Sequence, residues 1–137
     1  MATKGTLLYG NDSSGNSSDA SEFITRLLHG STAIHMHHLM VEGPGSYAAH
    51  TALGMYSELA DLADGLAESY MGCTGQKLKF GGGQFSIAGD PIAEVQALYD
   101  YVESKRMMMG SESHIQNDVD GVCTLLASTL YKLKRLA

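Results

Sequence analysis

Among 137 residues there is no tryptophan, there are two cysteines and two prolines, and only 9 lysines and arginines stand against 15 aspartates and glutamates. Each scarcity excludes something. Cys73 and Cys123 lie too far apart in sequence to suggest a disulfide framework or a zinc knuckle, which fits a reducing cytosol. The net charge of -6 gives no broad attraction to nucleic acid or to an anionic membrane. Long apolar runs are missing too. The early stretch Leu7, Leu8, Tyr9 is too short for a signal sequence or a membrane span, so the chain reads as soluble, unexported and cytoplasmic.

What is present is one domain's worth of apolar residues, 44% of the chain, arranged with helical period. Residues 1–18 are rich in Gly, Ser, Asn and Asp and read as a flexible tail, leaving 19–137 as the folded unit. Asp19 followed by Glu22 has the form of a capping box. Phe23, Ile24, Leu27, Leu28, Ile34 and Leu39 then recur with helical spacing up to Gly43-Pro44-Gly45. Ser46 can cap a second helix with the apolar arc Leu53, Tyr56, Leu59, Ala63, Leu66, Ala67 and Tyr70, ending at Gly72.

Between Gly72 and Gly89 the pattern alternates, with Leu78 and Phe80 before the Gly81-Gly82-Gly83 triplet and Phe85 and Ile87 after it, which predicts a small β-hairpin. No Gly-Lys-Ser/Thr follows the triplet, so turn geometry explains it better than a phosphate loop. Asp90-Pro91 opens a third helix through Val95, Leu98 and Val102 to Gly110. Ser111 or Ser113 can cap a fourth, with the stripe Ile115, Val119, Val122, Leu126, Leu130 and Leu133 and basic residues in its last turn. Four amphipathic helices predict an all-α antiparallel four-helix bundle with the hairpin between its second and third helices.

The chemistry concentrates between His35 and Gly72. On the second predicted helix, His50, Ser57, Asp61, Asp64 and Glu68 fall on one stripe opposite the apolar arc. Outward acids alone are ordinarily a solvated face. Imidazoles and carboxylates are also the usual ligands of iron, manganese and zinc, and a partner subunit could complete a site on such a stripe. On the first helix His35 and His38 fall within the apolar arc, His37 on its flank and His29 away from it. We set His35 aside as a core residue and keep His38 for its spacing to His50. For His114 and Asp118, one turn apart on the fourth helix, capping or a local hydrogen bond serves as well as ligation, and the tyrosines and Met107 to Met109 are most simply packing.

The segment HHLMVEGPGSYAAH, followed by an acid-rich helix ending DGLAES, resembles the first-to-second-helix region of the Dps family, the miniature ferritins. His38, Gly43 and His50 match that family's histidine, glycine turn and second histidine, and Asp64 and Glu68 match its Asp-x-x-x-Glu in type. The departures are Gly54 where the family usually has aspartate, acids that arrive one residue early, and Leu39 in place of tryptophan. The stretch ESHIQNDVDGVCTLLASTLYKLKRL resembles small ferritin-like proteins of tailed bacteriophages, which would place the chain in a host cytoplasm or a virion.

The Dps resemblance implies a homo-oligomeric shell, a dodecamer built from two-fold dimers. It implies an iron site shared across the two-fold interface, with His38 and His50 from one subunit and Asp64 and Glu68 from its mate. Asp61 is a candidate substitute for the carboxylate absent at Gly54. The implied activity is ferroxidase, oxidation of Fe(II) by oxygen or peroxide with storage of the mineral. A second function, from a different class, is a non-catalytic ferritin-like structural or assembly protein whose stripe is merely polar. Tight DNA binding and membrane binding are not expected of either.

Overall fold

A computed structural model describes residues 16–137, and residues 1–15, which hold most of the expected tail, lie outside the described residues. The elements are α1 (Ser17–Met40), α2 (Tyr47–Leu53), α3 (Tyr56–Thr74), α4 (Pro91–Lys105), a 3-10 turn (Arg106–Met109) and α5 (Ser113–Arg135). No strand occurs among the described residues, and the fold is all-α.

Helix α1 packs against α3 and α4, and α5 packs against the same two helices. Between them lies one core, with Phe23, Ile24, Leu27 and Ile34 of α1 meeting Leu59 and Leu66 of α3, Val95 and Leu98 of α4, and Ile115, Val119 and Leu126 of α5. Burying one such side chain contributes about 1.5–3 kcal/mol, so these positions hold the helices together. The α4 start is as expected: Asp90 is extended, its carboxylate accepts from the Ala93 N–H at 2.9 Å, and Pro91 occupies the first helical position.

Several expectations are corrected. The cap of α1 is Asn16, whose side chain accepts from the Asp19 N–H at 2.9 Å, and no Asp19–Glu22 capping box forms. Asp19 sits instead in the first turn, where its charge favours the positive end of the helix. Leu39 is 69% exposed. At about 100° per residue it lies about 120° around the helix from Leu27, outside the buried arc. Glu112, with no side-chain capping bond, precedes α5 where a serine cap was expected.

The second predicted helix is two helices. At the junction the Gly54 N–H reaches Thr51 O at 3.1 Å and the Met55 N–H reaches Ala52 O at 3.5 Å, so the ladder tightens to three-residue spacing before Leu59 N–H to Met55 O restores it. Glycine is the natural place for that change, having little preference for a regular helix.

The expected hairpin does not form. Its arms bond to helices and not to each other: the Lys79 N–H donates to Ser21 Oγ of α1 at 3.0 Å, and the Ala88 N–H to Glu94 Oε1 of α4 at 2.7 Å. Leu78 enters the core while Phe80, Phe85 and Ile87 remain exposed. An isolated two-stranded ribbon is marginal in water, and side-chain acceptors on neighbouring helices compete with it well.

Candidate functional site

The end of α1 and the whole of α2 bring two histidines face to face. After Met40 the chain reverses through Gly43 and Gly45, both at positive φ (98° and 83°), where a side chain would be strained. That turn lays α2 back across the last turn of α1. His38 and His50 stack with ring centroids 3.8 Å apart and planes 19° from parallel. His38 Nδ1 donates to the His50 carbonyl at 2.6 Å, and His50 Nδ1 donates to the His38 carbonyl at 2.9 Å.

This reciprocity fixes chemistry as well as position. A carbonyl oxygen can only accept, so both Nδ1 atoms carry hydrogen, and in the neutral rings both Nε2 atoms keep a lone pair. An imidazole that donates one N–H to a backbone carbonyl and offers the other nitrogen is the form usually found on metals. Around the pair, Tyr56 at the start of α3 stacks on His35 at 3.8 Å and 6°, and its ring centroid is 5.5 Å from that of His38. Ser31 Oγ donates to Tyr56 O at 2.7 Å, tying the α2–α3 junction to α1.

Gly54 lies against the same ring. A Cβ built there would stand 3.8 Å from His38 Cε1 and 3.1 Å from Thr51 O, so the position faces the imidazole and tolerates a side chain only with a small adjustment.

Of the residues expected at the site, the structure joins His38 and His50 and leaves the acids apart. Asp61, Asp64 and Glu68 are exposed on α3. Among the described residues no three His, Cys, Asp or Glu side chains gather as a metal-binding group. His114 and Asp118 are exposed on α5, and His29 packs edge-on to Phe85 with centroids 5.5 Å apart.

Sequence reasoning missed the one buried histidine. His37 is 3% exposed, and its Nε2 lies 3.3 Å from Oε1 of Glu94, itself 7% exposed. The signal was available on α4, where Glu94 precedes the core residue Leu98 by one turn and so shares its face. Glu94 also receives the Ala88 N–H, and one carboxylate thereby fastens α1, α4 and the loop before α4.

What the fold and site define is an all-α protein presenting a paired, carbonyl-tethered histidine motif. A family model described as a family of unknown function (DUF5856) matches residues 38–133, and the chain belongs to that family. The match opens at His38 and takes in the second histidine and all three acids. No curated protein and no solved structure matches the chain. Among the described residues no helix is long and apolar enough to cross a membrane.

Proposed function

We propose that this is a ferritin-like, Dps-type iron-binding protein, with its four long helices as an antiparallel bundle and its metal site split between two copies in a homo-oligomer. The observation that carries the proposal is the His38–His50 pair, whose mutual carbonyl bonds leave two Nε2 lone pairs free for a metal. Asp64 and Glu68 of a two-fold mate supply the carboxylates, with Asp61 as the substitute for the one absent at Gly54. Exposure of all three acids supports a partner's access to them. Met36, Leu39, Met40 and Tyr47 support an interface at the His38 end of α1, being apolar and 41–80% exposed.

Iron is the substrate and cargo in this reading. Two imidazoles and two or three carboxylates suit Fe(II) while leaving room for an oxidant, and each Fe(II) gives up one electron to oxygen or peroxide. The test is anaerobic Fe(II) titration followed by oxygen or peroxide, read by absorbance and by metal per subunit, with native mass spectrometry for the assembly. His50→Ala is expected to abolish the iron-dependent absorbance and leave the oligomer intact, because the ring lies outside the apolar core. His114→Ala should change nothing.

A specific observation favours the second reading: one chain gathers no three-ligand group among its described residues, and glycine stands where a carboxylate is needed. Iron binding no greater than background, with the oligomer present, would assign the chain to the non-catalytic assembly class. A monomer at micromolar concentration would remove the shared site altogether.

A further inference from the structure

Away from the histidine pair, the N-terminal half of α1 faces the loop that follows Leu78, and two adjoining clefts of about 450 and 410 Å³ lie between them. Both are lined by Thr25, His29, Gly82 and Gly83. Leu28, Phe80 and Gly81 complete one, and Glu22, Arg26, Gln84 and Tyr101 the other. The loop that roofs the clefts is anchored at both ends, by the bonds of Lys79 to Ser21 and of Ala88 to Glu94.

Three features of this cleft are unspent by the fold. The Arg26 guanidinium lies 4.8 Å from the Tyr101 ring centroid and, among the described residues, makes no ion pair. The backbone N–H groups of Gly81, Gly82 and Gly83 have no hydrogen-bond partner among the described residues. His29 meets Phe85 edge to face and, among the described residues, makes no hydrogen bond. The glycines and the Arg26 cation thus lie along two adjoining clefts, one walled by Leu28 and Phe80 and the other by the Tyr101 ring. Glu22 is the single carboxylate lining it, one turn before Arg26.

We propose that this cleft binds a small-molecule oxyanion carried on a flat apolar body, such as an aryl phosphate or aryl carboxylate. The guanidinium and the glycine N–H groups hold the anionic oxygens, because both are donors without an acceptor among the described residues. The apolar walls take the ring, and a space of this size suits a small ligand, most such pockets being about 300–1,000 Å³. A bare anion would meet Glu22 with no apolar contact in return, so it binds more weakly than the same anion on a ring.

The proposal stands apart from iron, and its test uses the full chain without metal. Isothermal titration with phenyl phosphate, benzoate and inorganic phosphate is expected to show binding of the two aryl anions and at least about tenfold weaker binding of inorganic phosphate. Arg26→Gln should weaken phenyl phosphate about tenfold or more, since it removes a charged donor, while Arg26→Lys keeps most of the affinity. Gly82→Asp places a repelling carboxylate where an added Cβ meets nothing within 4 Å, so it should weaken binding without disturbing the helices. Circular dichroism melts confirm that each variant is folded. The proposal is overturned if phenyl phosphate gives no saturable heat at millimolar concentration. It is equally overturned if folded Arg26→Gln and Gly82→Asp both bind it like the parent, or if inorganic phosphate binds as tightly as phenyl phosphate.

Discussion

Helix α5 and the α2–α3 pair do comparable structural work and are built in opposite ways. Both run the length of the core, but α5 is continuous from Ser113 to Arg135 while the other is interrupted at Gly54. In α5 the residues Ile115, Val119, Val122, Leu126, Leu130 and Leu133 form one unbroken stripe, all of it buried. In the pair, α3 keeps its own stripe from Leu59 to Tyr70, and the short α2 is freed to follow the end of α1. Continuity serves packing. The interruption puts His50 on His38, an arrangement that an uninterrupted helical period does not specify. The general point is that a regular helix fixes where side chains lie along one axis, and a broken one can present a side chain to a neighbour it would otherwise pass.

The largest effects should therefore come from the continuous helix. Leu126→Ala is expected to destabilise the protein by about 2–5 kcal/mol, because the side chain is fully buried and its removal leaves a cavity. Leu39→Ala, at the end of α1 where α2 takes over, should change the stability of the isolated chain by no more than about 0.5 kcal/mol. Chemical denaturation of both variants measures the contrast. Comparable losses at the two positions would mean that Leu39 is buried in solution, as at an interface between copies.

The same contrast explains what could be read in advance. The α5 stripe and the Asp90-Pro91 start of α4 were legible because each is local, a period or a cap within one turn. The His38–His50 pair was legible through its spacing across the Gly43-Pro44-Gly45 turn. Its mutual carbonyl bonds were not, since they depend on where the second helix breaks. Alternation at Leu78, Phe80, Phe85 and Ile87 pointed to a hairpin because side-chain pattern says nothing of which acceptors the backbone will find. Here Ser21 and Glu94 supply the acceptors. Glu94 shares the core face of Leu98 and so signals a buried carboxylate, but 57 residues separate it from His37 and the sequence does not name its partner.

That buried pair gives the next effect in size. Glu94→Ala strips the partner from His37 and the acceptor from the Ala88 N–H, and should cost about 1–3 kcal/mol. It should also loosen the loop roofing the α1 cleft, measurable as faster amide exchange at Ala88 and weaker phenyl phosphate binding. Unchanged exchange at Ala88 would show that Leu78 and Lys79 alone hold the loop.

Gly54 sharpens the comparison at its point of origin. Gly54→Ala gains up to about 1 kcal/mol of helix propensity but must push on Thr51 O, 3.1 Å from the new Cβ, so the net change in stability should be under about 1 kcal/mol. Gly54→Asp is the informative variant. It places a carboxylate beside His38, and in the iron-binding reading it should tighten Fe(II) by about tenfold or more, since ligand charge is added to an existing pair. If Gly54→Asp leaves Fe(II) binding at the parent level while His50→Ala abolishes it, the metal uses the pair without that direction of approach. If neither variant changes iron binding, the pair is structural.

The smallest effect compares the two helices through a thiol. Cys123 lies on α5, half-buried beside the α4 residue Glu103, to whose Oε1 its Sγ donates at 3.5 Å. Burial, then the negative charge of Glu103, then that hydrogen bond push the thiol up from 9.0 to about 11, against a smaller opposing pull from Arg106. The thiolate is the nucleophile, and a rise of this size leaves about a hundredfold less of it near pH 8. Alkylation of Cys123 in the folded protein should therefore be about a hundredfold slower than in the denatured chain, and should accelerate as pH rises towards 11. The folded state holds this proton more tightly, so the thiol's contribution to stability is whole below pH 9.0 and is lost as pH climbs through about 11. Glu103→Gln removes the charge and weakens the acceptor, and should speed alkylation several-fold at constant pH while the α5 core residues are untouched. Site-resolved mass spectrometry of iodoacetamide adducts reads Cys123 on α5 separately from Cys73 on α3. If Cys123 reacts in the folded protein as fast as in the denatured chain, α5 opens on the labelling timescale, and its unbroken stripe does not make it the firmer of the two regions.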